Sequence, residues 1–177
     1  MRKEIRISGF GGQGVVLAGY LLGKSLSLYE NLEAVMTQSY GPEARGGASS
    51  SNVVVADRTI AYPFVQKADI FVALSQEAYS RYRPEAAPDA QILIDSGLVV
   101  PDDNDRVHPF PATELAEELG RRIVANVLML GQLSAVTGVV KFESLEKAIR
   151  TTVKEKIVPL NLQALEKGYN YKVEEAV

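Results

Sequence analysis

No cysteine occurs among the 177 residues. That absence excludes disulfides, thiolate nucleophiles, zinc–thiolate centres and, because cysteine is their main ligand, iron–sulfur clusters held by this chain. Histidine is almost as scarce: His108 stands alone, which leaves no imidazole cluster for a metal and no choice of partners for a Ser-His-Asp triad. No apolar stretch approaches the roughly 20 residues that a membrane helix requires. Runs of Lys and Arg are missing too, and the net charge is −3, whereas a nucleic-acid binder needs a basic stripe to neutralise phosphates. The opening Met1-Arg2-Lys3-Glu4 leads into an apolar run that breaks at Gly9, too soon for a secretory signal. These exclusions point to a cytoplasmic protein with no membrane and no nucleic acid among its partners.

What is present is an ordinary globular composition, 46% hydrophobic and 23% charged. The length suits one compact domain spanning residues 1–177. Strand and helix signals alternate over the first two-thirds. Glu4–Ile7, Glu33–Thr37, Ser51–Ala56, Ile70–Leu74 and Gln91–Asp95 read as strands, the last two as near-continuous apolar runs covered on both faces. Val15–Leu28 and Gln76–Tyr82 read as helices, the second stopped by Pro84. Pro109 and Pro111 mark a kinked stretch before a helix over Ala112–Leu119, with Thr113 as its expected cap. Arg122–Val136 is too long and apolar for a strand and reads as a buried or interface helix. Phe142–Val153 and Pro159–Lys167 suggest amphipathic helices, and Lys172–Val177 a loose tail. The expected fold class is α/β, a Rossmann-like three-layer sandwich with a mostly parallel sheet and additional C-terminal helices.

Gly9-Phe10-Gly11-Gly12-Gln13-Gly14 fits the G-x-G-x-x-G spacing, after the first strand and before the first helix. Glycine permits a sharp turn and close backbone approach, and the helix start offers N–H groups and a positive dipole end to an anion. A dinucleotide site also needs an acid at the end of the second strand to hold the ribose. Glu30 and Glu33 come before or at the start of that strand, and its far end reads Thr37-Gln38-Ser39. The turn therefore has three readings: an element facing a phosphate or a partner loop, a plain strand-to-helix turn, or, least favoured, a free dinucleotide site.

A second constellation, Ser39-Tyr40-Gly41-Pro42-Glu43-Ala44-Arg45-Gly46-Gly47, follows the second strand. Gly-Pro and Gly-Gly are turn punctuation, but Tyr, Glu and Arg together exceed what a plain loop needs. In an α/β fold this loop leaves the carboxyl edge of the sheet, where ligands bind. The bland alternative makes Glu43 and Arg45 surface charges and Tyr40 a packing residue. Together, Gly11-Gly12-Gln13-Gly14 and the Tyr40–Gly47 loop closely resemble the gamma subunit, or gamma domain, of the 2-oxoacid:ferredoxin oxidoreductases. The region around Asn126, Leu130 and Gly131 and the ending Leu165-Glu166-Lys167-Gly168-Tyr169 are similar as well, so the resemblance spans nearly the whole chain.

The resemblance implies a subunit of a complex that decarboxylates a 2-oxoacid on thiamine diphosphate, passes electrons through iron–sulfur clusters to ferredoxin and transfers the acyl group to coenzyme A. Thiamine diphosphate with its magnesium would belong to the alpha and beta subunits, and the clusters to other subunits or domains, a ferredoxin-like delta subunit among them. This chain alone would bind no cofactor and border the site, with coenzyme A at the subunit interface. The residues expected to face that ligand or the partners are Gly11, Gly12, Gln13, Gly14, Tyr40, Glu43, Arg45 and Gly46. None is assigned a catalytic or metal-binding role. Arg45 suits an ion pair or a phosphate because its guanidinium is a planar fork. The identity of the 2-oxoacid stays open, because its pocket would lie in partner chains. A free-standing dinucleotide enzyme and a nucleotide-sensing module are the competing classes. His108 is expected to be a packed loop residue, Asp95-Ser96-Gly97 a turn with a ligand role left open, and Asn126 a buried hydrogen-bonding residue. Tyr169-Asn170-Tyr171 is either an interface anchor or a cover for a helix end.

Overall fold

The computed structural model describes residues 1–39 and 47–172. Six strands form one sheet in the order β2-β3-β1-β4-β5-β6. They are β1 (Arg2–Phe10), β2 (Glu33–Gln38), β3 (Ala48–Ala56), β4 (Ala68–Ala73), β5 (Ala86–Asp95) and β6 (Val107–Phe110). Strands β1, β4, β5 and β6 pair in parallel, while β3 runs antiparallel to both β1 and β2. All strands but β3 thus share one direction. The pairing of β2 with β3 runs to its end at Gln38 and Ser51, and Ser39 N still donates to Ser50 O at 2.9 Å. Antiparallel neighbours need no helical crossover between them.

Helices cover both faces unevenly. On one side Ile5, Ile7, Val53, Val55, Ile70, Val72 and Leu93 pack against α1 (Val15–Lys24), α3 (Ala112–Glu118), α4 (Ala125–Thr137), α5 (Phe142–Arg150) and α6 (Val158–Asn170). On the other, Phe71, Ala73, Ile92 and Ile94 meet Tyr79 and Tyr82 of α2 (Gln76–Tyr82) and Val99. This is the three-layer α/β sandwich expected from the sequence. The thin second layer leaves polar side chains of β1 under little cover, and they are satisfied by pairing. Buried Arg6 donates Nε to Asn52 Oδ1 at 2.8 Å, pairs with Glu85 and lies over the Tyr82 ring. Glu4 accepts the backbone N–H groups of Gln66 and Lys67 at 2.6 and 3.1 Å. A buried charge without such partners would be strongly destabilising.

Several local expectations shift. The first helix narrows to Val15–Lys24 and is followed by a wider, π-type turn over Ser25–Tyr29. The proline stretch before α3 contains a strand, β6, at the sheet edge, where prolines cost no ladder bond. Thr113 is not the cap of α3 but lies inside its first turn, behind Pro111. Its N–H and hydroxyl donate to Asp95 Oδ2 at 3.0 and 2.6 Å, so the carboxylate at the end of β5 does the capping. Arg122–Val124 is a 3₁₀ turn, and α4 proper starts at Ala125.

The apolar length of α4 follows from its position: Ala125 to Ser134 are all buried. It meets α6 without a side-chain layer between them. A Cβ at Gly168 would lie 2.0 Å from the Leu128 carbonyl oxygen, and one at Gly131 would lie 2.3 Å from that of Leu165. At α6's end Tyr169 packs on Phe142 and Tyr171 on Phe110, each with ring centroids 5.0 Å apart, so these tyrosines cover the helix end. Gly168→Ala must push the two backbones apart. It is expected to lower stability by about 1–3 kcal/mol, the usual cost of overpacking, read as a drop in the urea midpoint at unchanged slope.

Candidate functional site

The turn after β1 is held by its own side chains. Gln13 N donates to Phe10 O at 3.1 Å and closes it. The Gln13 side chain accepts from Phe10 N and donates Nε2 to Leu74 O at 2.8 Å, tying the turn to the carboxyl end of β4. Gly12 and Gly14 have φ of 96° and 73°, left-handed values that glycine adopts without strain. Gly14 caps α1 without a side-chain cap bond, and its carbonyl accepts the first helical bond, from Ala18 N at 3.0 Å. The first-turn N–H groups of α1 have no acceptor within the helix, so a partial positive charge faces outward at this edge.

Above the turn runs a groove in two parts that share Gly12, Gln13 and Arg122. The larger part, about 420 Å³, is also lined by Phe10, Gly11, Ser75, Gln76 and Leu98. The smaller, about 180 Å³, is closed by Thr113, Ile123 and Ala125 at the start of α4. Among the described residues lining both, Arg122 is the charged one. Its side chain is 64% exposed, and its contact with Glu117 is long, at 3.8 Å. Arg122 and Ala125, at the approach to α4, therefore share with Gly12 and Gln13 of the turn a concave surface that also carries the Ser75 hydroxyl, the Gln76 amide and the apolar side chains of Phe10, Leu98 and Ile123. The Arg122 guanidinium is the group of this surface suited to an anion such as a phosphate. A cavity of similar size at the amino edge of the sheet carries Lys3 with two acids, Asp69 and Asp89, and lacks this polarity.

One wall of the groove is the segment after β5, and charge fixes it to α2. Leu98 N and Val99 N donate to Asp95 O at 3.0 and 2.9 Å, and Val100 N donates to Gln76 Oε1 at 2.7 Å. Farther along, Arg83 grips Asp105 with two 2.6 Å hydrogen bonds. Tyr79 donates its hydroxyl to the same carboxylate and accepts from Asp102 N at 3.0 Å. The Arg83 guanidinium holds the Asp105 carboxyl below the usual range, while burial and then Asp105 itself push the Tyr79 phenol up. His108 lies half-buried on β6, and burial lowers its imidazole below the ordinary value.

Of the residues expected at the site, Gly11, Gly12 and Gln13 line the groove, and Gly14 lies behind it against Asn126. Both the side chain and the backbone N–H of Gln13 are committed within the turn. Tyr40, Glu43, Arg45 and Gly46 lie outside the described residues. Their described neighbours flank the turn: Phe10 pairs with Ala48, and Ser39 with Ser50, at the same carboxyl edge. Asn126 is buried and hydrogen-bonded as expected, with Nδ2 donating to Gly14 O at 3.1 Å. Arg122, Ser75, Gln76 and Leu98 were not anticipated. The one signal for Arg122 was the pair Arg121-Arg122 just ahead of an apolar helix. Among the described residues no group of three or more His, Asp or Glu could hold a metal ion, and no helix is long and apolar enough to cross a membrane.

A dinucleotide site of the usual kind is not formed. It places the second strand beside the first, with an acid at its end; here β3 separates them, and β2 ends in Thr37-Gln38. Fold and groove instead define an α/β domain with an open groove at the carboxyl edge of its sheet. The chain belongs to the pyruvate ferredoxin/flavodoxin oxidoreductase family, whose model matches residues 4–171. It is 50% identical over 174 residues to the 2-oxoglutarate synthase subunit KorC of Methanocaldococcus jannaschii, covering 96% of this chain and 93% of that one. The gamma subunit of a keto/oxoacid ferredoxin oxidoreductase from Geobacter sulfurreducens superposes with a TM-score of 0.87 at 41% identity, over 96% of this chain and 95% of that one. A 2-oxoglutarate:ferredoxin oxidoreductase from Magnetococcus marinus, with 2-oxoglutarate, coenzyme A and succinyl-CoA bound, shares the fold. Its TM-score is 0.85 at 23% identity, over 94% of this chain but 30% of that longer one.

The Asp105 clamp has a pH signature. A carboxyl whose folded pKa is depressed adds stability above its unfolded pKa and loses it as pH falls through the folded value. Amide exchange at Val100 and Asp102, corrected for intrinsic rates, is expected to accelerate below about pH 4. Asp105→Asn should flatten that profile; an unchanged profile in the variant would show that the clamp does not hold the wall.

Proposed function

We propose that this chain is the gamma-type, non-catalytic subunit of a coenzyme A-dependent 2-oxoacid:ferredoxin oxidoreductase, and that its groove takes a phosphate of coenzyme A at the border with the alpha and beta subunits. The carrying observation is the groove in which the Arg122 guanidinium faces Gly12 and Gln13 of the glycine turn at the carboxyl edge of the sheet. Coenzyme A presents phosphates to such a surface on a long, flexible arm, so the groove can anchor the nucleotide end while the thiol reaches into a neighbouring chain. The donor set supports the division of labour. A chain with no cysteine does not fit an iron–sulfur cluster, and thiamine diphosphate with magnesium would sit with the alpha and beta partners, the clusters with a ferredoxin-like delta subunit or domain. When bound in those partners, thiamine diphosphate supplies the decarboxylation chemistry and the clusters carry the electrons.

Of the candidate substrates, 2-oxoglutarate is favoured by the half-identity with the KorC subunit of a 2-oxoglutarate synthase. Gly11, Gly12 and Gly14 would offer backbone N–H groups to the phosphate, with Gln13, whose N–H closes the turn onto Phe10 O, holding them in place. Tyr40, Glu43, Arg45 and Gly46 would complete the border from the next loop, and we assign the assembly to the cytoplasm. Coenzyme A saturation of the assembled complex, with 2-oxoglutarate and an artificial electron acceptor, tests the reading. Arg122→Ala is expected to raise the KM for coenzyme A about tenfold, the loss of one exposed charge-assisted contact, and to leave the KM for 2-oxoglutarate unchanged. Arg45→Ala should weaken coenzyme A binding or assembly. Unaltered coenzyme A affinity and unaltered assembly in both variants would sink the proposal.

A further inference from the structure

We propose that Asn126 is a positioning residue for this site, locking the glycine turn and Arg122 into one arrangement, a role that rests on the groove reading above. The smaller part of the groove has two walls, Gly12 and Gln13 on one side and Arg122, Ile123 and Ala125 on the other. Asn126 follows directly on Ala125 of the second wall, and its Nδ2 donates at 3.1 Å to the carbonyl of Gly14, the residue after Gln13 of the first. The other end of the same amide is also occupied, Oδ1 accepting from Val127 N at 2.8 Å in the opening turn of α4. One side chain, only 3% exposed, therefore ties the start of α4 to the start of α1.

The fit is steric as well as polar. A Cβ at Gly14 would lie 2.4 Å from Asn126 Nδ2, so the amide occupies the space that a side chain would need. Gly14 O accepts both Asn126 Nδ2 and Ala18 N, the first helical bond of α1. Moving Asn126 thus perturbs the point where the α1 N–H groups are aimed. Arg122 is four residues away in the 3₁₀ turn that feeds α4, so it follows the same helix start. Gln13 anchors the turn to β4 from the sheet side; Asn126 sets its distance from the guanidinium. An anion gripped from both walls senses that distance directly, since charge-assisted hydrogen bonds need donors within about 3 Å of the acceptor.

Kinetics of the assembled complex with coenzyme A, 2-oxoglutarate and an artificial acceptor test this. Asn126→Ala is expected to raise the KM for coenzyme A about tenfold, with kcat at saturating coenzyme A and the KM for 2-oxoglutarate within about twofold of the parent. Asn126→Ser, whose hydroxyl is too short to reach Gly14, should give the same rise and serves if the alanine variant fails to assemble. Combined with Arg122→Ala, either variant should raise the KM by less than the product of the single effects, because the two residues act on one grip. A coenzyme A KM unmoved by Asn126 variants while Arg122→Ala raises it would overturn the positioning role and leave the groove reading standing. A KM moved by Asn126→Ala and not by Arg122→Ala would remove Arg122 from the site and keep Asn126 as the support of the turn. Lower yield and kcat with an unchanged KM would reduce Asn126 to a core residue.

Discussion

The Gly14 carbonyl oxygen receives two hydrogen bonds from different helices, Ala18 N of α1 and Asn126 Nδ2 of α4. A carbonyl has two lone pairs and can accept both, but the geometry then leaves the residue little freedom. Much of the carboxyl edge depends on that doubly used acceptor. It sets where α1 begins, how close α4 comes, and which way the peptide groups of Gly11 to Gly14 point. The left-handed backbone at Gly14 and the absence of a side chain there are conditions for the same contact. The glycine spacing therefore serves the packing of two helices as much as any ligand.

Around that point the fold divides its work. Apolar burial is concentrated on the face with five helices, while the face under α2 relies on ion pairs and backbone-directed carboxylates. Asp95 illustrates the second mode: fully buried, it caps α3 through Thr113 and receives the N–H of Gly97. Such groups stabilise only when every partner is present. They also place the edge of the groove, since Thr113 lines one part and Leu98 the other. Both faces thus contribute to the candidate site, Thr113 and Ala125 from the five-helix side and Ser75, Gln76 and Leu98 from the side of α2.

Much of this was readable from residues alone, for identifiable reasons. The helix over Gln76–Tyr82 was anticipated within its bounds, with Pro84 as its stop, while the serine that caps it, Ser75, was not singled out. The apolar runs at Ile70 and Gln91 announced strands buried on both faces, and they are the sheet's interior. Strand direction was not legible. Nothing local in Ala48–Ala56 tells that it runs against β1, because direction is set by which neighbours pair with it and not by composition. Strand β6 was hidden by its prolines, which an edge position tolerates. Arg122 was missed because the face shown by a residue ahead of a buried helix depends on how that helix docks. The Gln13 backbone N–H was expected to be on offer to a ligand, yet it closes the turn onto Phe10 O, and the side chain is held by two further backbone groups.

The close approach of Gly131 and Gly168 carries a mechanical consequence. Helices separated by side chains can slide or rock, because rotamers absorb small displacements; α4 and α6 have backbone against backbone at this crossing and no such cushion. A load applied to the tyrosine-capped end of α6 would be passed on to α4 as a nearly rigid translation and would arrive at Asn126 undamped. The stiffness of the groove is thus set partly at two glycines outside its lining, and a neighbour seated against α6 would have a lever on it without touching it.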